Sequence, residues 1–132
     1  MAKATAHIGP DGYRVDVESG AHRLVADEPA SRGGDDAGPA PYDLLLAALG
    51  ACTAITLRMY ADRHDWPISS LDVDLRIVGT SEGNRIRRVL RIDGPDAAAR
   101  EKLAEVAERT PVTLTVKHGM PVETTLAENS HD

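Results

Sequence analysis

The sequence contains no phenylalanine and a single cysteine, Cys52; its aromatic side chains are Trp66, Tyr13, Tyr42 and Tyr60. One cysteine excludes an internal disulfide framework and a CxxC metal knuckle. Basic character is also short, because the formal net charge is −6. Nucleic-acid backbones are held by clustered Lys and Arg that release counterions. The one such cluster here, Arg85, Arg87, Arg88 and Arg91, has no aromatic residues interleaved for base stacking, so nucleic acid is excluded as a partner. The start of the chain, Met1 to Ala6, lacks the apolar core of a secretion signal. The longest apolar run, Leu44 to Leu57, falls short of the roughly 20 residues that span a bilayer. These absences lead to the expectation of a cytoplasmic protein with no membrane partner.

What is present suits one globular domain, residues 1–132. Hydrophobic residues make up 42% and charged residues 27% of 132 positions, an ordinary balance at a length where a core forms without a metal or disulfides. Lys3–Ile8 and Tyr13–Glu18 flank Gly9-Pro10-Asp11-Gly12, a strong turn signal. Tyr13, Val15 and Val17 alternate with Arg14, Asp16 and Glu18, giving one buried and one wet face. Ser19-Gly20 turns the chain into His22–Ala26, so the N-terminal part is expected to be a β-meander. Residues 27–40, DEPASRGGDDAGPA, have no periodicity. Connections of that length inside a compact domain are uncommon and often functional.

A long helix is expected over Pro41 to Asp65, with Pro39 and Pro41 suiting its first turn, Asp43 facing its positive end and Pro67 stopping it. Leu44, Leu45, Leu46, Ala47, Ala48, Leu49, Ala51, Ala54, Ile55 and Leu57 surround its axis. A helix that is apolar all round is buried all round. So short a chain has little material to wrap it, so a partner subunit is expected to cover one side.

Leu71, Val73, Leu75 and Ile77 alternate with Asp72, Asp74 and Arg76, and after a Gly79–Asn84 loop Ile86, Leu90 and Ile92 share a face with Arg88. This pair reads as a β-hairpin. A second helix starts at Gly94-Pro95-Asp96 and runs to about Arg109, with Leu103, Val106 and Ala107 inward, and with Asp96–Arg100 and Glu105–Arg109 paired outside. Pro111 ends it; a short element follows, then a C-terminal strand at Val122–Leu126. Asn129 to Asp132 are expected to fray. Strands in groups rather than in alternation with helices give an α+β fold.

Cys52 is the one residue equipped for thiol chemistry. Leu45, Ala48, Leu49, Ile55 and Met59 share its helical face, which fits an inert buried thiol. A nucleophilic role needs the thiolate, and an apolar helix face then calls for a nearby cation, with Arg14, Arg23 and Arg32 upstream as candidates. The histidines, His7, His22, His64, His118 and His131, show no HxxxH or HExxH spacing, so no metal site is expected. No GxSxG elbow, P-loop or GxGxxG occurs, and no cofactor is implied. Gly33-Gly34-Asp35-Asp36 lacks the alternating carboxylates of a calcium loop.

Asp27-Glu28-Pro29, followed by the stretch from Gly33-Gly34-Asp35-Asp36-Ala37-Gly38-Pro39 through Leu44-Leu45-Leu46-Ala47-Ala48-Leu49-Gly50-Ala51-Cys52 to Tyr60-Ala61, resembles the signature of the osmotically inducible protein C (OsmC/Ohr) family. Ala107 to Val112 and Val122 to Leu126 resemble its C-terminal block. The resemblance implies an α+β homodimer interlocked around two central helices. It also implies a thiol-dependent peroxidase in which Cys52 attacks an organic hydroperoxide and becomes a sulfenic acid. In the family a second cysteine then closes a disulfide that an external dithiol reduces. An Arg and a Glu poise the thiolate there.

This chain departs from that pattern twice. The second cysteine falls at Thr110, and the Glu falls at Tyr42, with an acid only at Asp43. One helical position is a rotation of about 100°, so Asp43 is not an automatic substitute. Arg32 and Arg14 are the candidates for the Arg. Two readings of different class follow. One is a single-cysteine hydroperoxide reductase resolved by an external thiol reductant. The other is a non-catalytic dimer that binds a small hydrophobic molecule in an interfacial cleft.

Overall fold

The computed structural model describes residues 2–128; the fraying expected at Asn129 to Asp132, and His131, lie outside them. The element order is β1 (Thr5–Ile8), β2 (Val15–Ser19), β3 (His22–Ala26), a 3-10 turn at Ala30–Arg32, α1 (Pro41–Arg63), β4 (Ser70–Thr80), β5 (Gly83–Asp93), α2 (Ala97–Ala107) and α3 (Pro111–His118). The fold is α+β, as the grouping of strands and helices predicts. The chain divides into two compact units, Met1–Ala51 with Val73–Val89, and Cys52–Asp72 with Leu90–Asp132.

In the first unit, β1, β2 and β3 form the expected antiparallel meander, with Ala6 opposite Val17 and Val17 opposite Leu24. The chain then runs into residues 27–40, which are irregular apart from the 3-10 turn yet closely hydrogen-bonded. Asp27 N–H donates to Pro39 O at 3.1 Å, Asp36 N–H to Glu28 O at 3.1 Å, and Gly34 N–H to Pro29 O at 3.1 Å. Gly34 lies so near the Glu28 carbonyl that a Cβ there would collide with backbone. The hairpin β4–β5 is tighter than the Gly79–Asn84 loop expected from sequence. Thr80 Oγ1 donates to Gly83 O and accepts from Glu82 N–H, which closes the turn on two residues.

The second unit holds a core of Leu57, Ala61, Leu103, Val106 and Ala107. Tyr60, Trp66, Ile68, Leu71, Leu90 and Ile92 pack around it. Leu103, Val106 and Ala107 are buried as their spacing predicts. Asp96 caps α2 by accepting from Ala99 N–H at 2.9 Å, satisfying one of the first-turn donors that a helix leaves open. Arg100, expected to pair with Asp96, donates instead to Pro95 O at 2.7 Å. Lys102 and Glu105 form an ion pair on the outside of α2 at 3.5 Å.

The C-terminal part differs from the sequence reading. No strand forms at Val122–Leu126; residues 119–128 are irregular, and Val122 and Leu126 are 87% and 96% exposed. A strand is stabilised by a paired neighbour and one buried face, and no strand among the described residues pairs with this segment. The short element left unassigned after Pro111 is α3. Its β-branched residues hide the helix, but Pro111 occupies the first-turn position where a missing N–H costs nothing.

Leu49, Thr53, Leu57 and Ala61, spaced four apart on α1, are buried. A flanking stripe, Leu45, Ala48, Ile55 and Met59, is exposed, Ile55 by 55% and Met59 by 54%. The chain therefore covers one side of its apolar helix and leaves the other open. Counted over all 23 residues, α1 is long and apolar enough to cross a membrane by length and composition, beyond what the run Leu44–Leu57 suggests.

Candidate functional site

Cys52 lies on α1 beside the open stripe and is half-buried. One turn on, the Thr56 hydroxyl sits 3.8 Å from its sulfur. The other contact comes from α3. Thr110 is its N-cap in extended backbone (φ −67°, ψ 152°), Pro111 is first in the helix, and Val112 N–H donates to Cys52 Sγ at 3.5 Å. That amide is one of those a helix start leaves without an intrahelical acceptor. It carries the positive end of the helix dipole, which favours negative charge nearby. Thr110 and Thr113, both buried, pair through their hydroxyls at 2.6 Å. A hydroxyl thus stands where the family resemblance puts a second sulfur. Among the described residues, the hydrogen-bond partners of the sulfur are Thr56 and Val112.

The other residues singled out from sequence have their own surroundings. Arg14 is exposed and pairs with Asp16 at 3.2 Å; exposed pairs contribute little. Arg23 pairs with Glu18 at 3.5 Å. Asp43 accepts from Ala40 N–H at 3.3 Å at the entry to α1, where its charge complements the helix end, and the neighbouring Tyr42 is 71% exposed. Arg32 ends the 3-10 turn and lines an open groove of about 410 Å³ with Tyr13 and Glu28.

Sequence reasoning missed Asp27. It is a carboxylate with 3% exposure at the end of β3, and it accepts from Glu28 N–H at 2.7 Å, Asp35 N–H at 3.2 Å and Ala37 N–H at 3.1 Å. Its pKa lies below the ordinary aspartate value. The Ala37 amide is the largest cause, with burial opposing it and the Glu28 and Asp35 amides and the Arg14 charge assisting. Asp27 ties the loop that carries Glu28 and Arg32 into one conformation. In the sequence it stands out only as the first residue of the family-like stretch and of a Pro- and Gly-rich run.

His64 stacks on Tyr60 with ring centroids 4.3 Å apart, and its Nδ1 lies 2.9 Å from Tyr60 O. Among the described residues no three His, Cys, Asp or Glu side chains gather in a way that could hold a metal ion.

These elements define an α+β protein with one half-buried thiol set between a long helix and the start of a short one. The family model for OsmC-like protein matches residues 33–125, most of the chain. The chain belongs to the OsmC-like family, as the signature around Cys52 predicts. The fold is similar to that of an OsmC-like protein from Mycoplasma pneumoniae, with TM-score 0.76 and 19% identity over 90% of this chain and 89% of that one. It is also similar to an organic hydroperoxide resistance protein OsmC from Legionella pneumophila, with TM-score 0.66 and 23% identity over 89% and 90% of the two chains. An organic hydroperoxide resistance protein from Elizabethkingia anophelis aligns with TM-score 0.64 and 20% identity, over 90% and 89%. Among curated proteins no match is found.

Proposed function

We propose that this protein is a cytoplasmic, thiol-dependent organic hydroperoxide reductase of the OsmC-like family, with Cys52 as its single peroxidatic thiol. The observation that carries this reading is the setting of the sulfur. It is half-buried and takes an N–H from the free first turn of α3. Val112 N–H, 3.5 Å from the sulfur, gives it a fixed hydrogen-bond donor at the place where the reaction changes its bonding. Family membership and the likeness to organic hydroperoxide resistance proteins support the same reading.

In the reaction, the Cys52 thiolate attacks the outer oxygen of the hydroperoxide. The O–O bond breaks, the alkoxide leaves and takes a proton as the alcohol, and the sulfur becomes a sulfenic acid. Thr110 cannot resolve it. An external thiol therefore condenses with the sulfenic acid, releasing water and leaving a mixed disulfide. A second thiol displaces Cys52 and departs as the external disulfide. The reading includes a homodimer. Leu45, Ala48, Cys52, Ile55 and Met59 repeat at spacings of three and four, the pattern that packs one helix along another, and a second copy covers this open stripe.

One observation favours the non-catalytic, ligand-binding reading. The sulfur's hydrogen-bond partners are an amide and a hydroxyl, with Arg14, Arg32 and Asp43 not among them. The two readings separate in one experiment, the rate of Cys52 oxidation by an alkyl hydroperoxide and by hydrogen peroxide, followed by intact mass with a sulfenic-acid trap. Oxidation faster than a free thiol, favouring the alkyl substrate and abolished in Cys52→Ser, is expected. Oxidation at the free-thiol rate overturns the peroxidase.

A further inference from the structure

The thiol reading leaves the groove lined by Tyr13, Glu28 and Arg32 without a task. Its shape is set before any ligand arrives. Asp27 gathers three amides of the loop, Arg32 N–H donates to Pro29 O at 2.9 Å, and Gly33 N–H to Ala30 O at 3.0 Å. Gly33 is left-handed (φ +88°) and lies against the Tyr13 ring, where a Cβ would come 3.3 Å from Cε2. A loop fixed in this way has already lost the conformational entropy that ligand binding otherwise costs.

The chemistry of the three side chains is complementary rather than uniform. Arg32 offers a planar donor fork for a carboxylate. Glu28 offers an acceptor for an ammonium group. Tyr13 offers a ring face and a phenol. Among the described residues no hydrogen bond or ion pair engages the Arg32 guanidinium, the Glu28 carboxylate or the Tyr13 hydroxyl, and the two opposite charges do not neutralise each other by contact. A volume of about 410 Å³ lies in the lower part of the range for small-molecule sites. A simple anion would meet Glu28 and a simple cation would meet Arg32, so the pair selects a molecule bearing both charges.

We propose that this groove is a binding site for a small zwitterion, an amino acid or short peptide with free ammonium and carboxylate ends. Arg32 takes the carboxylate, Glu28 the ammonium and Tyr13 the apolar part between them.

The test is amide chemical-shift titration of the Cys52→Ser protein with the dipeptide alanylphenylalanine, and with its N-acetylated and C-amidated forms. Shifts centred on Tyr13, Glu28 and Arg32 are expected, with binding about tenfold weaker or worse when either end of the dipeptide is blocked. Arg32→Gln and Glu28→Gln should each weaken the free dipeptide by a similar factor. Arg32 is exposed, and unchanged Asp35 and Ala37 amide signals show the loop intact in either variant. Absence of shifts at these residues overturns the proposal. So does equal binding of the blocked and free dipeptides, and so does a response to acetate that matches the dipeptide, which would make Arg32 a plain anion contact.

Discussion

Truncation of Leu57 to alanine offers the sharpest check of the packing that carries Cys52. Leu57 is fully buried on α1, one turn and a residue beyond the thiol, against Leu103, which is fully buried too. Its other core neighbours include Ala61 and Ala107, whose short side chains cannot reach into the space left behind. Little collapse is available, so the cost should sit in the upper part of the Leu→Ala range, about 3–4 kcal/mol. Such a loss is a large share of the roughly 5–15 kcal/mol typical of a domain. In urea, with a slope of roughly 1–3 kcal/mol per molar, it lowers the unfolding midpoint by about 1–4 M. Circular dichroism at one fixed protein concentration, so that association contributes equally, reads the change. Leu57→Met, which conserves volume, should cost less than about 1.5 kcal/mol. A loss for Leu57→Ala below about 1 kcal/mol would mean that α1 and α2 do not enclose the residue.

Thr110→Cys should form a disulfide with Cys52 under alkyl hydroperoxide, seen as a loss of free thiols in intact mass; persistent free thiols would show that the start of α3 does not approach Cys52. Asp27 has a folded pKa below the ordinary value, so its stabilisation is present above about pH 4 and is lost as pH falls through the lowered folded value. The acid unfolding of Asp27→Asn should therefore be flatter than that of the parent below about pH 4, and identical profiles would remove the carboxylate from the linkage. Gly34→Ala forces a Cβ into the Glu28 carbonyl and should cost about 1–3 kcal/mol in urea unfolding; a neutral result would mean that the loop yields easily at this position. Ala51→Asp, at an exposed position on α1, should leave a folded chain that elutes as a monomer in size-exclusion chromatography. An unchanged assembly would place the interface elsewhere.

The sequence is most readable where one residue type has one physical use. Alternation in Tyr13–Glu18 and Leu71–Ile77 is visible because each strand has one wet face, whereas Asp96 reads as an ion-pair partner of Arg100 and caps α2 instead. It is least readable where a partner decides. Val122–Leu126 has strand composition, but composition does not supply a neighbour to pair with. Val112 left no mark as a site residue, since its contribution is a backbone N–H that every non-proline residue possesses. The side chain of Asp27 is equally ordinary in sequence, and only the turn of the loop brings three amides to it. Cys52 and its family signature were legible, whereas the polar company of the sulfur was not.

The open stripe on α1 makes protein concentration a chemical variable. Cys52 shares that stripe with Ile55 and Met59, so in the proposed dimer a second copy brings apolar side chains over the thiol and removes water from its surroundings. Dilution would undo this and return the sulfur to solvent. Thiol reactivity would then follow an association isotherm, and rates taken at a single protein concentration would describe a mixture of two differently solvated cysteines rather than one site.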